Sequence, residues 1–155
     1  MAMHTNTPPK KLTGKVALVT GGSRGLGAAS ALAFADNGAD VAISYVASAD
    51  KAEAVVRDLK AKDVHAAAFK ADQGDVRQVE GLIQSVVQHF GRLDILVNNA
   101  GLVQFRAADG PDDNAADFDR LYAVNLTGVI AGICAAVKVM SDGGRIITIG
   151  SGVVF

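Results

Sequence analysis

The sequence has one cysteine, Cys134, so no disulfide can form within the chain. Its neighbours in VIAGICAAV predict a buried small apolar side chain rather than a reactive thiol. An excess of either charge is also missing. Fifteen Lys and Arg against 16 Asp and Glu leave a formal net charge of -1, which offers no basic footprint for nucleic acid or an anionic membrane. Long hydrophobic runs are absent too: residues 129–137 form the longest clean one, well short of the ~20 residues that a bilayer crossing needs. The opening MAMHTNTPPKKL has no apolar segment of signal-peptide length. These absences predict a cytoplasmic protein with a disordered tail over residues 1–11 and neither a membrane nor a nucleic-acid partner. His4, His65 and His89 have no metal-ligand spacing, so no metal site is predicted. No internal repeat, low-complexity tract or linker divides the 155 residues, which predicts one domain.

What the sequence does have is apolar, strand-like runs alternating with amphipathic segments. KVALVT (15–20), DVAISY (40–45), VHAAAFK (64–70), LDILVN (93–98) and residues 145–149 read as five strands. Residues 25–37 form an Ala- and Leu-rich helix that Gly38 stops, and residues 48–62 a second helix with Ser48 as its N-cap. In the third helix Val76, Val79, Leu82, Ile83, Val86, Val87 and Phe90 recur at spacings of three and four, along one stripe, until Gly91. A long helix spans about 116–140. Strands joined by helices must run parallel through right-handed crossovers. The fold class predicted is therefore α/β: a doubly wound, Rossmann-like parallel sheet of order 3-2-1-4-5, complete in its first half and incomplete in its second.

The chemistry-bearing segment after the first strand is TGGSRGLG, residues 20–27, with glycines at 21, 25 and 27. A glycine turn there lets backbone approach a pyrophosphate, and the helix that follows offers unpaired N–H groups to the anion. No Gly-Lys-Ser/Thr follows, which excludes a nucleoside-triphosphate P-loop. The second strand ends at Tyr45 and Val46, without the carboxylate that would accept from a ribose 2′-hydroxyl. Arg24 and Ser48 could instead face a 2′-phosphate, so NADP is preferred to NAD as cofactor, the bland reading of Arg24 being a solvent-facing loop cation.

TGGSRGLG resembles the cofactor loop of the short-chain dehydrogenase/reductase family, and NNAG (98–101), Asp72, VNLTG (124–128) and GRIITIGS (144–151) resemble further landmarks of that family in order. The pattern is most similar to the 3-oxoacyl-[acyl-carrier-protein] reductase branch. The resemblance implies a cofactor site made by Gly21, Ser23, Arg24, Gly25, Leu26, Gly27, Tyr45, Ser48, Asp72, Asn98, Ala100 and Gly101. Asp72 would bond the adenine, although it could also cap the third helix, for which Asp75 is better placed. Asn98 and Asn99 could be turn formers or ligand-facing amides. Asn125 and Ser151 are the catalytic residues implied, Ser151 polarising the substrate oxygen and Asn125 holding a relay water; a structural bond from Asn125 to the sheet is the alternative. The resemblance also implies a Tyr-x-x-x-Lys pair, but four residues after Tyr45 and Tyr122 stand Ala49 and Leu126. These features predict a C-terminally truncated portion of an oxidoreductase acting on a small-molecule carbonyl or alcohol, inactive alone. A non-catalytic nucleotide-binding or interaction protein is the alternative. Val129, Ile133 and Val137 are expected to be exposed on the long helix, inviting homo-oligomers or aggregation. The loop QFRAADGPDD (104–113) has no assigned chemistry.

Overall fold

A computed structural model of the chain describes residues 10–103 and 115–151. The tail up to residue 9, the QFRAADGPDD loop and the four residues after Ser151 lie outside the described residues. Five strands, β1 (Val16–Val19), β2 (Asp40–Tyr45), β3 (Ala66–Lys70), β4 (Ile95–Asn98) and β5 (Arg145–Thr148), form one parallel sheet in the order β3-β2-β1-β4-β5. β1 is central and buried along its length, as an unbroken VALV run requires of a strand covered on both faces. Ala17 and Val19 pack against α1 (Gly25–Asp36) and α2 (Ala49–Lys60); Val16 and Leu18 pack against α3 (Val76–Phe90) and α5 (Gly128–Val137). The two-residue period of the strand thus feeds two separate cores.

Helix ends follow local chemistry. α1 buries Gly27, Ala31 and Ala35, four residues apart, so it lies close on the sheet, and Gly38 ends it at φ 89°. α3 buries Val79, Leu82, Ile83 and Val86; the Asp75 side chain accepts from the N–H groups of Arg77 and Gln78, at 2.9 and 3.3 Å, and Gly91 closes the helix at φ 81°. Ser48 holds the N-cap position of α2 but makes no capping hydrogen bond through its side chain. At the start of the described residues the Lys10 carbonyl accepts from the Thr13 hydroxyl and N–H.

The long helix differs most from expectation. It consists of α4 (Ala115–Tyr122), a π-helical turn Ala123–Thr127, and α5. α5 buries Gly128, Ala131, Gly132 and Ala136, its smallest residues, so that its backbone can approach the sheet and the loop after β3. Cys134 therefore falls on the opposite side and is exposed, contrary to the buried position expected of it. Val129 and Ile133 are half-buried; the large apolar residues exposed along this helix are Phe118, Tyr122, Leu126, Ile130 and Val137. By length and composition Ala116–Val137 is apolar enough to cross a membrane, and one side of it, at Gly128, Ala131, Gly132 and Ala136, is buried in the fold. β5 is the outermost described strand on its side, and Ile147 and Ile149 are exposed.

Candidate functional site

At the carboxyl ends of β1, β2, β3 and β4 lies an open crevice of about 560 Å³. It sits where the strand order reverses between β1 and β4, which is where open α/β sheets place ligands. Its floor is built from one hydroxyl and one amide. Thr20, 2% exposed, ends β1 and accepts through Oγ1 from the N–H groups of Asn99 and Ala100, both at 3.0 Å. Asn99 Nδ2 donates to the carbonyls of Thr20 and Gly21 at 2.9 and 3.3 Å. The glycine turn is therefore clamped to the exit of β4. On its other side the Gly21 and Gly22 N–H groups donate to the Ser44 hydroxyl and carbonyl, at 3.2 and 3.0 Å.

Two glycines are required by geometry. Gly25 begins α1 at φ 54°, a left-handed conformation. A side chain on Gly27 would run into the Gly21 carbonyl oxygen and Asn99 Nδ2. Arg24 precedes α1 in an extended conformation, and no side chain caps the helix. The first-turn N–H groups and the positive dipole end are thus left to whatever enters the crevice.

The rim beside β2 comprises Tyr45, Val46, Ala47 and Ser48. Among the described residues the one carboxylate lining the crevice is Asp72, just after β3. Its Oδ1 accepts from Arg120 Nη2 and from the Gly74 N–H, each at 2.8 Å. The Arg120 hydrogen bond is the main reason that this carboxyl lies below the ordinary aspartate range; partial burial opposes it, and the Gly74 N–H and the Arg120 charge add to it.

A sequence profile of short chain dehydrogenases matches residues 15–155. The chain belongs to the short chain dehydrogenase family. An uncharacterized oxidoreductase of Methylorubrum extorquens is 44% identical over 141 residues, covering 91% of this chain and 56% of the relative. A short chain dehydrogenase from Burkholderia cenocepacia, solved in complex with NADP, matches with a TM-score of 0.88 and 46% identity over 91% of this chain and 57% of that one. A blue fluorescent protein from a metagenomic library, solved with NADPH, matches with a TM-score of 0.84 and 41% identity, again over 91% of this chain and 57% of its own. The chain spans about half the length of the curated relatives it matches.

Most of the residues expected at the cofactor site do converge. Gly21, Ser23, Arg24, Gly25, Leu26, Gly27, Tyr45, Ser48, Asp72, Ala100 and Gly101 all line the crevice. Asn98 does not. It is 2% exposed at the end of β4, its Nδ2 donates to Thr148 Oγ1 at 3.3 Å, and its Oδ1 faces Gly132 of α5. The second asparagine of NNAG, which turns out of the strand, is the one on the crevice wall. Asp75, and not Asp72, caps α3.

Asn125 is neither in the crevice lining nor bonded to the sheet: its Nδ2 donates to the Leu102 carbonyl at 2.7 Å and its Oδ1 accepts from the Leu102 N–H at 2.8 Å. It thereby pins the connection leaving β4 to the π-helical turn. Ser151 is exposed just beyond β5. Thr20, Ser44 and Arg120 were not anticipated as site residues. Thr20 had a signal, a hydroxyl closing an apolar strand directly before the glycine turn; Ser44 and Arg120 act across 23 and 48 residues and had none.

Proposed function

We propose that these residues form the adenine-nucleotide half of an NADP(H)-dependent oxidoreductase that interconverts a carbonyl and an alcohol, of the 3-oxoacyl-[acyl-carrier-protein] reductase type. The observation that carries the reading is the uncapped amino end of α1, locked onto the crevice by the Thr20–Asn99 clamp and flanked by Arg24. The residues fit the cofactor. Amide N–H groups at the start of α1 suit a pyrophosphate. Arg24 and Ser48 stand at the rim where a 2′-phosphate would lie, and that rim lacks the carboxylate that would repel it. When bound, NADPH supplies the hydride. Ser151 would donate a hydrogen bond to the substrate oxygen, and Asn125 would keep the Leu102 connection in place.

No Tyr-x-x-x-Lys occurs in the 155 residues, so within them no positioned phenol donates the proton that a carbonyl oxygen needs. General acid catalysis typically contributes about 10²- to 10⁴-fold. The 155-residue polypeptide by itself is therefore a nucleotide binder without useful turnover. Monitoring NADPH absorbance with a panel of ketones tests this, and turnover well above blank overturns it. A second reading, a non-catalytic nucleotide-binding or interaction protein, would use the same glycine turn and crevice. A Tyr-x-x-x-Lys encoded beyond the Phe155 codon would decide for the oxidoreductase.

Cofactor choice is tested by fluorescence titration. NADPH should bind at least about tenfold more tightly than NADH, as one charge-assisted bond to phosphate implies, and Arg24→Ala should narrow the gap. NADH binding as well as NADPH would refute the assignment. The same reading carries a cytoplasmic location, supported by composition, and self-association through the exposed stripe on the π-helical turn and α5, supported by Leu126, Ile130 and Val137.

A further inference from the structure

Asp72 in the crevice makes three hydrogen bonds, two of them through its carboxylate. Asp72 Oδ1 takes both the Gly74 N–H and Arg120 Nη2, while the Asp72 N–H donates to Gln78 Oε1 at 3.0 Å. Among the described residues no hydrogen bond falls on Oδ2. Arg120 reaches Asp72 from α4, and both line the crevice. Its guanidinium rests on the Gly74 backbone, and any side chain at Gly74 would collide with Arg120 Nη1. Glycine there is therefore what admits the arginine. The pair is partly exposed, but a backbone amide and a guanidinium converge on the same oxygen, which restricts rotation of the carboxylate.

We propose that Arg120 is a positioning residue for base selectivity: by occupying Oδ1 it presents Oδ2 to the crevice as a fixed acceptor for the 6-amino group of adenine. This rests on the nucleotide reading above. The chemistry separates two purines of nearly equal shape. Adenine offers an N–H donor at position 6 and is accepted; hypoxanthine offers a carbonyl oxygen there, and a carboxylate repels it. A carboxylate free to swing would lose much of this discrimination while still tolerating either base.

The test is a pair of titrations with NADPH and its hypoxanthine analogue, in the whole 155-residue chain and in Arg120→Gln, Arg120→Lys and Gly74→Ala, each first shown to be folded by circular dichroism. The unmodified chain should favour the adenine nucleotide by about tenfold or more, the worth of one charge-assisted bond. Arg120→Gln should bring the ratio to within about threefold, since a neutral amide holds the carboxylate less firmly than a guanidinium. Arg120→Lys should lie between, because an ammonium restores the charge without the planar fork. Gly74→Ala displaces the guanidinium with every charge retained, and should reproduce the glutamine variant. A folded Arg120→Gln or Gly74→Ala with an undiminished ratio overturns the proposal. So does equal weakening for both nucleotides, which would make Arg120 only a strut for α4. If the unmodified chain binds both purines equally yet prefers NADPH to NADH, this inference fails and the cofactor reading stands; binding of none sinks both.

Discussion

Replacing Thr20 by Val removes one oxygen from the molecule and changes little else in shape, so its effect can be worked out from three contacts. Oγ1 accepts from the Asn99 and Ala100 N–H groups, both at 3.0 Å, and donates to the Val97 carbonyl at 3.3 Å. The Val97 carbonyl already accepts from the Thr20 N–H at 3.0 Å and loses little. The two donors lose their acceptor. A buried donor left unsatisfied costs about 1–3 kcal/mol; Asn99 and Ala100 are half-buried, so water can partly serve them and the low end applies. Together they give a loss of about 2 kcal/mol against the 5–15 kcal/mol typical of a domain. With a urea dependence of about 2 kcal/mol/M, the unfolding midpoint should fall by about 1 M. Thr20→Ser keeps the hydroxyl and should lose about half as much or less. NADPH binding should weaken in Thr20→Val, because the same hydroxyl orients Asn99 over Gly21. A Thr20→Val midpoint within about 0.2 M of the unmodified chain would refute the claim that this hydroxyl builds the crevice floor.

Asp94 should set part of the acid limit of stability. Burial acts to raise its carboxyl, but the paired N–H groups of Arg92, the Val16 N–H and the charges of Arg92 and Lys15 outweigh burial and leave it below its ordinary value. Its contribution is thus present above the unfolded value of about 3.9 and is lost as pH falls through the lower folded value. Urea midpoints measured from about pH 7 to about pH 3 should decline at the acid end, and less steeply in Asp94→Asn. Gly128→Ala would drive a methyl group into the Gln73 carbonyl oxygen; backbone cannot move aside as a side chain can, so a loss near the upper end of the usual overpacking range, about 3 kcal/mol, should appear in thermal melts. A loss under about 1 kcal/mol would mean that α5 sits further from the β3 exit than described. Ile130→Lys places a charge amid the exposed apolar stripe, and sedimentation velocity should show less self-association than in the unmodified chain. A monodisperse monomer before substitution would remove the basis for that stripe as an interface.

How much of this was legible in the sequence depended on the range of the interaction. The VALV strand, the three-and-four stripe of α3 and the glycine stops at 38 and 91 are local; right-handed crossovers gave a parallel sheet, and its strand order came from the dinucleotide-binding arrangement. The π-helical turn was not legible, because one inserted residue barely disturbs apolar periodicity averaged over a long helix. Asn98 and Asn99 are adjacent and chemically identical, yet the pleat sends the first under α5, and the chain turns the second into the crevice. Arg120 met Asp72 only through tertiary structure.

The misplacement of Cys134 has a more general cause. Hydropathy ranks residues by what they gain when buried, and by that measure α5 should turn Ile130 and Val137 inward. The helix is instead sorted by how closely its backbone must approach Gln73, a distance that Gly128 permits and a side chain there would not, while Gly132 sits close against Asn98 at the end of β4. Glycine and alanine take the inside for steric reasons, Val129 and Ile133 are half-buried, and Ile130, Val137 and Cys134 are left outside. That inversion makes the outer stripe a consequence of building the crevice. Whatever loosens the α5 approach, as Gly128→Ala should, will therefore disturb both the Asn125–Leu102 pin and the outer face together. A variant in which one changes and the other does not would separate them.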